Sequence, residues 1–260
     1  MALHERILNV LGTFDAAHPS RTLSEISRAT GLPVATTHRI LAELVRWGAL
    51  ERDGQRYVVG LRLFEIGVLS PRAYRDRDRI VPFLEELFVA THEKVVLSVL
   101  HGDEAVMVEQ LIGHRGPELG AGLGERLPFH AGSAGHVMLA FGPPELLDHV
   151  LAEPRTVYTD ATPVDEDELR RVVRDVRRTS ISITTGHIVP TTASISAPVF
   201  GAEGVFVGAV SLVAEAGTVD LQSLAPRVLR TARQISAALR ATPPASRVRP
   251  LRRSRARRAS

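Results

Sequence analysis

The run Thr36-Thr37-His38-Arg39 combines two hydroxyls, an imidazole and a guanidinium, and the chemistry these suit is contact with duplex DNA. An arginine can donate to guanine O6 and N7 together, while threonine hydroxyls reach base edges or phosphate oxygens. Arg52 and Arg56 flank Asp53-Gly54, where they suit backbone phosphate, which positions a protein without specifying sequence. Other chemistries are poorly served. Ala131-Gly-Ser133-Ala-Gly135 has alanine where a nucleophile elbow needs its first glycine. His130 and His136 stand six residues apart, which does not place them on one helical face for a metal. Asp148 and His149 are neighbours, and neighbours on a helix point different ways. No Walker motif or dinucleotide fingerprint occurs. The expectation is no enzymatic activity, no catalytic residue, no metal site and no cofactor.

The elements that must position the basic run are legible around it. Thr22 followed by Glu25 is a capping box that starts a short helix, and Gly31 suits the left-handed turn that stops it. Pro33 can open a second helix, because its missing N–H falls where a first-turn donor has no helical partner. On that helix Thr37, Ile40, Leu41 and Leu44 fall at core spacing, while Ala35, Thr36, His38, Arg39 and Glu43 share the opposite face. Thr37 therefore has two competing roles, contact and core. Ala49–Arg52 and Arg56–Val59 read as strands of a hairpin turning at Asp53-Gly54. A first helix over His4–Ala17 supplies Ile7, Val10, Leu11 and Phe14 as a core stripe. Two helices, a tight turn and a hairpin in this order predict a winged helix-turn-helix.

A chain of 260 residues favours two domains. With 44% apolar and 23% charged residues it can build ordinary cores. No apolar run approaches the ~18 residues of a membrane span, and Met-Ala-Leu-His-Glu-Arg has no signal-peptide shape, so a cytoplasmic protein without membrane partners is expected. The absence of cysteine excludes disulfides, thiolate metal sites and thiol redox sensing. Residues 246–260 hold seven arginines and no acid; setting them aside takes the formal charge from +3 to −4. DNA affinity must then come from local patches.

The order of elements predicts residues 1–60 as the DNA-binding domain, 61–77 as a linker helix and connection, 78–241 as a second domain, and 242–260 as a disordered arginine-rich tail. The linker helix covers Leu61–Leu69, and Ile80, Phe83, Leu84, Leu87 and Phe88 form the stripe of the next helix despite Pro82. Strands follow at Val95–Leu100 and Ala105–Leu111, with another strand and turn within Gly113–Gly124. Helices are expected over Ala134–Phe141, from Pro143-Pro144 onward and over Asp165–Thr179. Three strands, Ile181–Val189, Ile195–Phe200 and Val205–Val213, precede a last helix over Leu221–Arg240. Helices alternate irregularly with hairpins and no βαβ unit recurs, which predicts an α+β fold with an antiparallel sheet and flanking helices.

The chain resembles the IclR family of bacterial transcription regulators from about Leu3 to Leu239. In the head, the resemblance rests on Leu23-Ser-Glu-Ile-Ser-Arg-Ala-Thr-Gly-Leu-Pro, His38-Arg39-Ile-Leu, Gly-Ala-Leu-Glu-Arg-Asp-Gly, Tyr57 and Gly60-Leu-Arg-Leu. In the second half it rests on Leu127-Pro-Phe-His130-Ala-Gly-Ser-Ala-Gly135, Ala193-Ser-Ile-Ser-Ala-Pro-Val199 and Val207-Gly-Ala-Val-Ser211. It implies a GAF-like effector domain, a homodimer or tetramer on a palindromic operator, and control by a small organic molecule. Repression is the commoner mode the resemblance implies. The implied effector residues are Leu119, Leu127, Ser133, Ala134, Thr184, Thr192, Ser194, Ser211 and Val213. Backbone N–H groups near Ser133 and Ala134 can hold an anion at a helix start, Ser194 and Ser211 can orient it, and the leucines supply an apolar wall.

Three departures stand out, one of them the absence of the glycine that the family often has near Thr191. Thr184-Thr185-Gly186-His187 replaces a segment often acidic in the family, and Val213 stands where a second serine is usual. Fewer carboxylates and a nearby His187 suit a more apolar or anionic ligand. The alternative is a ligand-independent architectural DNA-binding protein, with the arginine tail adding salt-sensitive phosphate contacts.

Overall fold

A computed structural model describes residues 2–70, 76–102, 104–113 and 122–241. The tail over 242–260, residues 71–75 of the connection and most of the stretch expected to hold a strand before Gly124 lie outside the described residues.

The amino-terminal part contains α1 (Leu3–Leu11), β1 (Ser20–Thr22), α2 (Leu23–Thr30), α3 (Val34–Trp47), β2 (Leu50–Asp53) and β3 (Arg56–Val59). The capping box forms in both directions: Glu25 N–H donates to Thr22 Oγ1 at 3.3 Å, and Thr22 N–H to the Glu25 carboxylate at 2.8 Å. Gly31 caps α2 at φ +68°, a conformation that costs a side-chain-bearing residue energy. Val10, Ile26, Ile40, Leu41, Leu44, Leu50 and Tyr57 close one core behind the helix pair.

Three details differ from the sequence reading. α1 stops at Leu11, yet Phe14 still packs on the core from the following turn. Asp53 stays paired with Arg56, so the hairpin turns at Gly54-Gln55. β1 adds a third strand by pairing with β3, and three residues are too few to show any alternation.

After α4 (Leu61–Gly67), the second part carries α5 (Arg77–Thr91), β4 (Lys94–His101), β5 (Glu104–Leu111), β6 (Arg126–Leu127), α6 (Ser133–Phe141), α7 (Pro144–Ala152), α8 (Glu166–Thr179), β7 (Ser182–Thr185), β8 (Thr192–Phe200), β9 (Phe206–Glu215) and α9 (Leu221–Arg240). The strands form one antiparallel sheet in the order β6-β5-β4-β9-β8-β7. β7 is shorter than its apolar run suggests, because Gly186 at φ +70° turns the chain out of the sheet.

Alternation gives the sheet two working faces. Val95, Leu97, Ile195, Val210 and Leu212 point to α5 and α9 and make the larger core. The other face is covered in part by α6, whose residues Ser133–Ala140 are all buried, with α7 and α8 outside it. α6 comes this close because Gly135 has no side chain; a Cβ there would collide with the backbone of Pro128 and Phe129.

Candidate functional sites: a DNA-reading face and a pocket over the sheet

On α3, His38 and Arg39 are exposed and Thr36 is half-buried. Thr37 is corrected from contact to core: it is wholly buried, and its hydroxyl donates to the Pro33 carbonyl at 3.1 Å. One turn back along the helix is where a threonine hydroxyl finds a ready acceptor, so the residue is satisfied facing inward. Arg52 is exposed on the wing, its guanidinium 5.9 Å from the Tyr57 ring centre.

Arg56, exposed on the wing, also has a structural role the sequence did not announce. Its guanidinium turns back, donating to Ser20 Oγ and Ser20 O at 2.8 Å each and to the Glu25 carboxylate at 3.2 Å. It fastens the wing to β1 and the start of α2. The Thr22 backbone N–H and the Arg56 charge hold the Glu25 carboxyl below its usual range. Residues 1–60 carry seven arginines against six carboxylates, so the reading face is a local patch on a nearly neutral head.

Between the uncovered part of the sheet and the start of α6 lies a cavity of about 460 Å³. Its lining includes Leu127, Ser133, Ala134 and Thr184, and also Thr192, Ser194, Ser211 and Val213. Leu119, the remaining expected effector residue, lies outside the described residues. The structure adds Lys94, Val96 and Met107 from the central strands, Glu125 and Arg126 at β6, and Tyr158 from the loop after α7. The readable signal for Lys94 was a lysine opening an otherwise apolar strand, Lys-Val-Val-Leu.

His187 also lines the pocket. Its Nδ1 is buried with no hydrogen-bond partner among the described residues, and burial pushes its pKa down. The loop bearing Tyr158 is tied over this end: Thr159 donates to the Gly186 carbonyl at 2.5 Å, and Thr162 to the His187 carbonyl at 2.7 Å.

The hydroxyls form a chain. Thr184 lies 2.8 Å from Ser194, Ser194 and Ser196 each lie 2.7 Å from Ser133, and Ser196 lies 2.7 Å from Ser211. Five hydroxyls carry five protons and these four bonds use four. The fifth is left free on one member of the chain, and four of the five members, Thr184, Ser194, Ser133 and Ser211, border the cavity. Beside it α6 begins, and the first N–H groups of a helix have no acceptor within it. His136 N–H is the one that bonds Gly132 O, at 3.0 Å. A row of hydroxyls and the positive end of a helix thus face one cavity, which suits an acceptor or an anion.

Behind this wall, His136 is fully buried, and burial lowers its pKa to about 4. Its Nε2 lies 2.8 Å from the His130 carbonyl, which only accepts, so Nε2 carries the proton and Nδ1 accepts from Ser182 Oγ at 3.0 Å. The unfolded chain takes up this proton near pH 6.5 and the folded chain near 4. Its contribution to stability is therefore full above pH 6.5 and lost as the pH falls toward 4. Between pH 7 and 5 the loss is about 2 kcal/mol. Thermal melts should show this acid destabilisation, with a shallower pH slope in His136→Gln.

A winged helix-turn-helix joined to a sheet domain with a hydroxyl-lined cavity defines a class, the DNA-binding transcription regulators. Within it, the chain belongs to the IclR family. The IclR helix-turn-helix domain matches residues 5–54, and the bacterial transcriptional regulator IclR C-terminal domain matches residues 77–237. The HTH-type transcriptional repressor AllR of Klebsiella pneumoniae is 31% identical over 93% of this chain and 91% of its own. KipR, an HTH-type transcriptional regulator of Bacillus subtilis, is 29% identical over 75% of this chain and 78% of its own. Among solved structures, an IclR homolog from Microbacterium hydrocarbonoxydans complexed with 4-hydroxybenzoate superposes with a TM-score of 0.86 at 30% identity, covering 93% of this chain and all of that one. No helix among the described residues is long and apolar enough to cross a membrane.

Proposed function

We propose that the protein is a cytoplasmic repressor that binds a palindromic operator as a homodimer or tetramer and is controlled by a small organic effector held in the second-half pocket. Residues 1–60 read DNA, 61–77 connect, and 78–241 bind the effector. Arg39 and His38 contact base edges, Thr36 supports them, and Arg52 holds phosphate. The observation that carries the reading is an exposed basic helix face and a hydroxyl-lined cavity on one chain. The Microbacterium relative, crystallised with an aromatic acid, supports an effector of that size.

Two reading heads need a common axis. Leu8 on α1 and Leu61, Ile66 and Leu69 on and after α4 are exposed, and a second copy would cover them. Half-site centres are then about one DNA turn apart, ~34 Å, or a multiple of it. Effector binding alters head spacing through α4, to the extent that it favours one spacing over the other. Light scattering should find Leu69→Glu in a smaller assembly than the parent protein, and an unchanged mass would count against this surface.

The test of the whole reading is retardation of promoter fragments from beside the protein's own gene, with and without metabolites of the neighbouring operon. Specific retardation relieved by one metabolite is the expected result. Specific binding that no metabolite alters would favour the architectural alternative.

A further inference from the structure

One row of side chains crosses the pocket face of the sheet: Thr184, Ser194, Val213 and Lys94, paired in register on β7, β8, β9 and β4. All four border the cavity. Adjacent strands lie about 4.8 Å apart, so the Lys94 backbone stands roughly 10 Å from that of Ser194, with Val213 between them. The Ser194 end is the hydroxyl end, bonded through Ser133 to the start of α6. The opposite end carries a basic group, the buried amine of Lys94, which is only 1% exposed.

Burying an ammonium is costly unless opposite charge meets it. Glu125 borders the same cavity and attracts the amine, but burial outweighs that attraction and the Lys94 pKa stays below its usual value. The Glu125 carboxylate also accepts the Gly122 N–H at 2.6 Å. Arg126, the other cation at this end, is paired with Glu104. The cavity therefore has donors at both ends of one row and an apolar middle.

We propose that the effector is a two-ended organic acid whose anionic group pairs with Lys94 while its second polar group reaches Ser194 and the start of α6. Its apolar body lies along Val213, Val96 and Met107. This rests on the pocket being the effector site. Lys94 then sets specificity: it selects for charge at one end, and the distance to Ser194 selects for length. A benzene ring substituted at opposite positions has such a shape, as does a short straight-chain diacid.

The test is calorimetry on the full-length protein with 4-hydroxybenzoate, terephthalate and adipate, against 4-hydroxybenzamide as a neutral twin and benzoate as a one-ended acid. At least one two-ended acid should bind, with 4-hydroxybenzamide and benzoate each at least about tenfold weaker. Lys94→Met, similar in length but neutral, should lose the preference for acid over amide. An acid-over-amide ratio in Lys94→Met equal to that of the parent protein would overturn the assignment. So would equal binding of benzoate and the two-ended acids, or no binding by any of the three. The acid-to-amide ratio of the parent protein decides the matter even if Lys94→Met fails to fold. The pocket reading is tested separately, by whether the small-molecule fraction of a cell extract shifts the melting of the parent protein but not of Ser211→Leu.

Discussion

Ser211→Leu should produce a protein that still binds its operator but no longer responds to the effector. Ser211 ends the hydroxyl chain and borders the cavity, so leucine removes a polar group and places its branched carbons where the ligand would lie. Effector affinity should fall by at least about 100-fold, since a polar group of the ligand loses its partner and the remaining space is filled. The fold should tolerate the change, because the added volume enters a cavity of about 460 Å³ and not a packed core. Ser196 keeps its 2.7 Å bond to Ser133. Operator affinity without effector should stay within about twofold, as expected for sites with no shared contacts. Calorimetry with the effector and anisotropy with operator DNA check the two halves. An unchanged binding heat would move the effector site elsewhere.

Arg39→Ala should relax operator choice more than it weakens DNA binding overall. Arg39 is exposed on the outer face of α3, and a guanidinium there can make a bidentate contact with guanine. Such a contact contributes about 1–3 kcal/mol of base discrimination, and a symmetric dimer makes it twice, so about 2–6 kcal/mol is at stake per operator. Competition between operator and random duplex at fixed salt measures this, and unaltered preference would remove Arg39 from base reading. Arg52→Ala should instead weaken binding to all sequences alike and reduce the salt slope by about one charge per head. Arg56→Ala should act through stability, because its donors hold Ser20 and Glu25.

Much of the reading head was legible because its determinants are local. The Thr22–Glu25 capping box, the Gly31 stop, the Pro33 start and the α3 stripe each involve residues within about one helical turn. Thr37 was misassigned, and the inward bonds of Arg56 were not foreseen, for the complementary reason. Thr37 sits where two faces of a helix meet, and only the packed partner helices decide which face wins. Arg56 bonds Ser20, thirty-six residues earlier, through a strand pairing that three residues of β1 could not announce.

The second half divides the same way. Most of its strands and helices followed from alternation and helical stripes, though the two-residue β6 at Arg126–Leu127 did not, and its serines were reached by resemblance to a family, not by any rule of spacing. Periodicity along a strand says which residues share a face, but not which strand lies beside it. The sequence by itself determined a DNA-reading head and the faces of each element. Only the tertiary structure decided that β9 lies between β4 and β8, which sets Lys94 and Ser194 at opposite ends of one row and joins five separate hydroxyls into a chain. Those contacts come from antiparallel pairing between distant segments, and burial of the shared apolar face is what holds them in register.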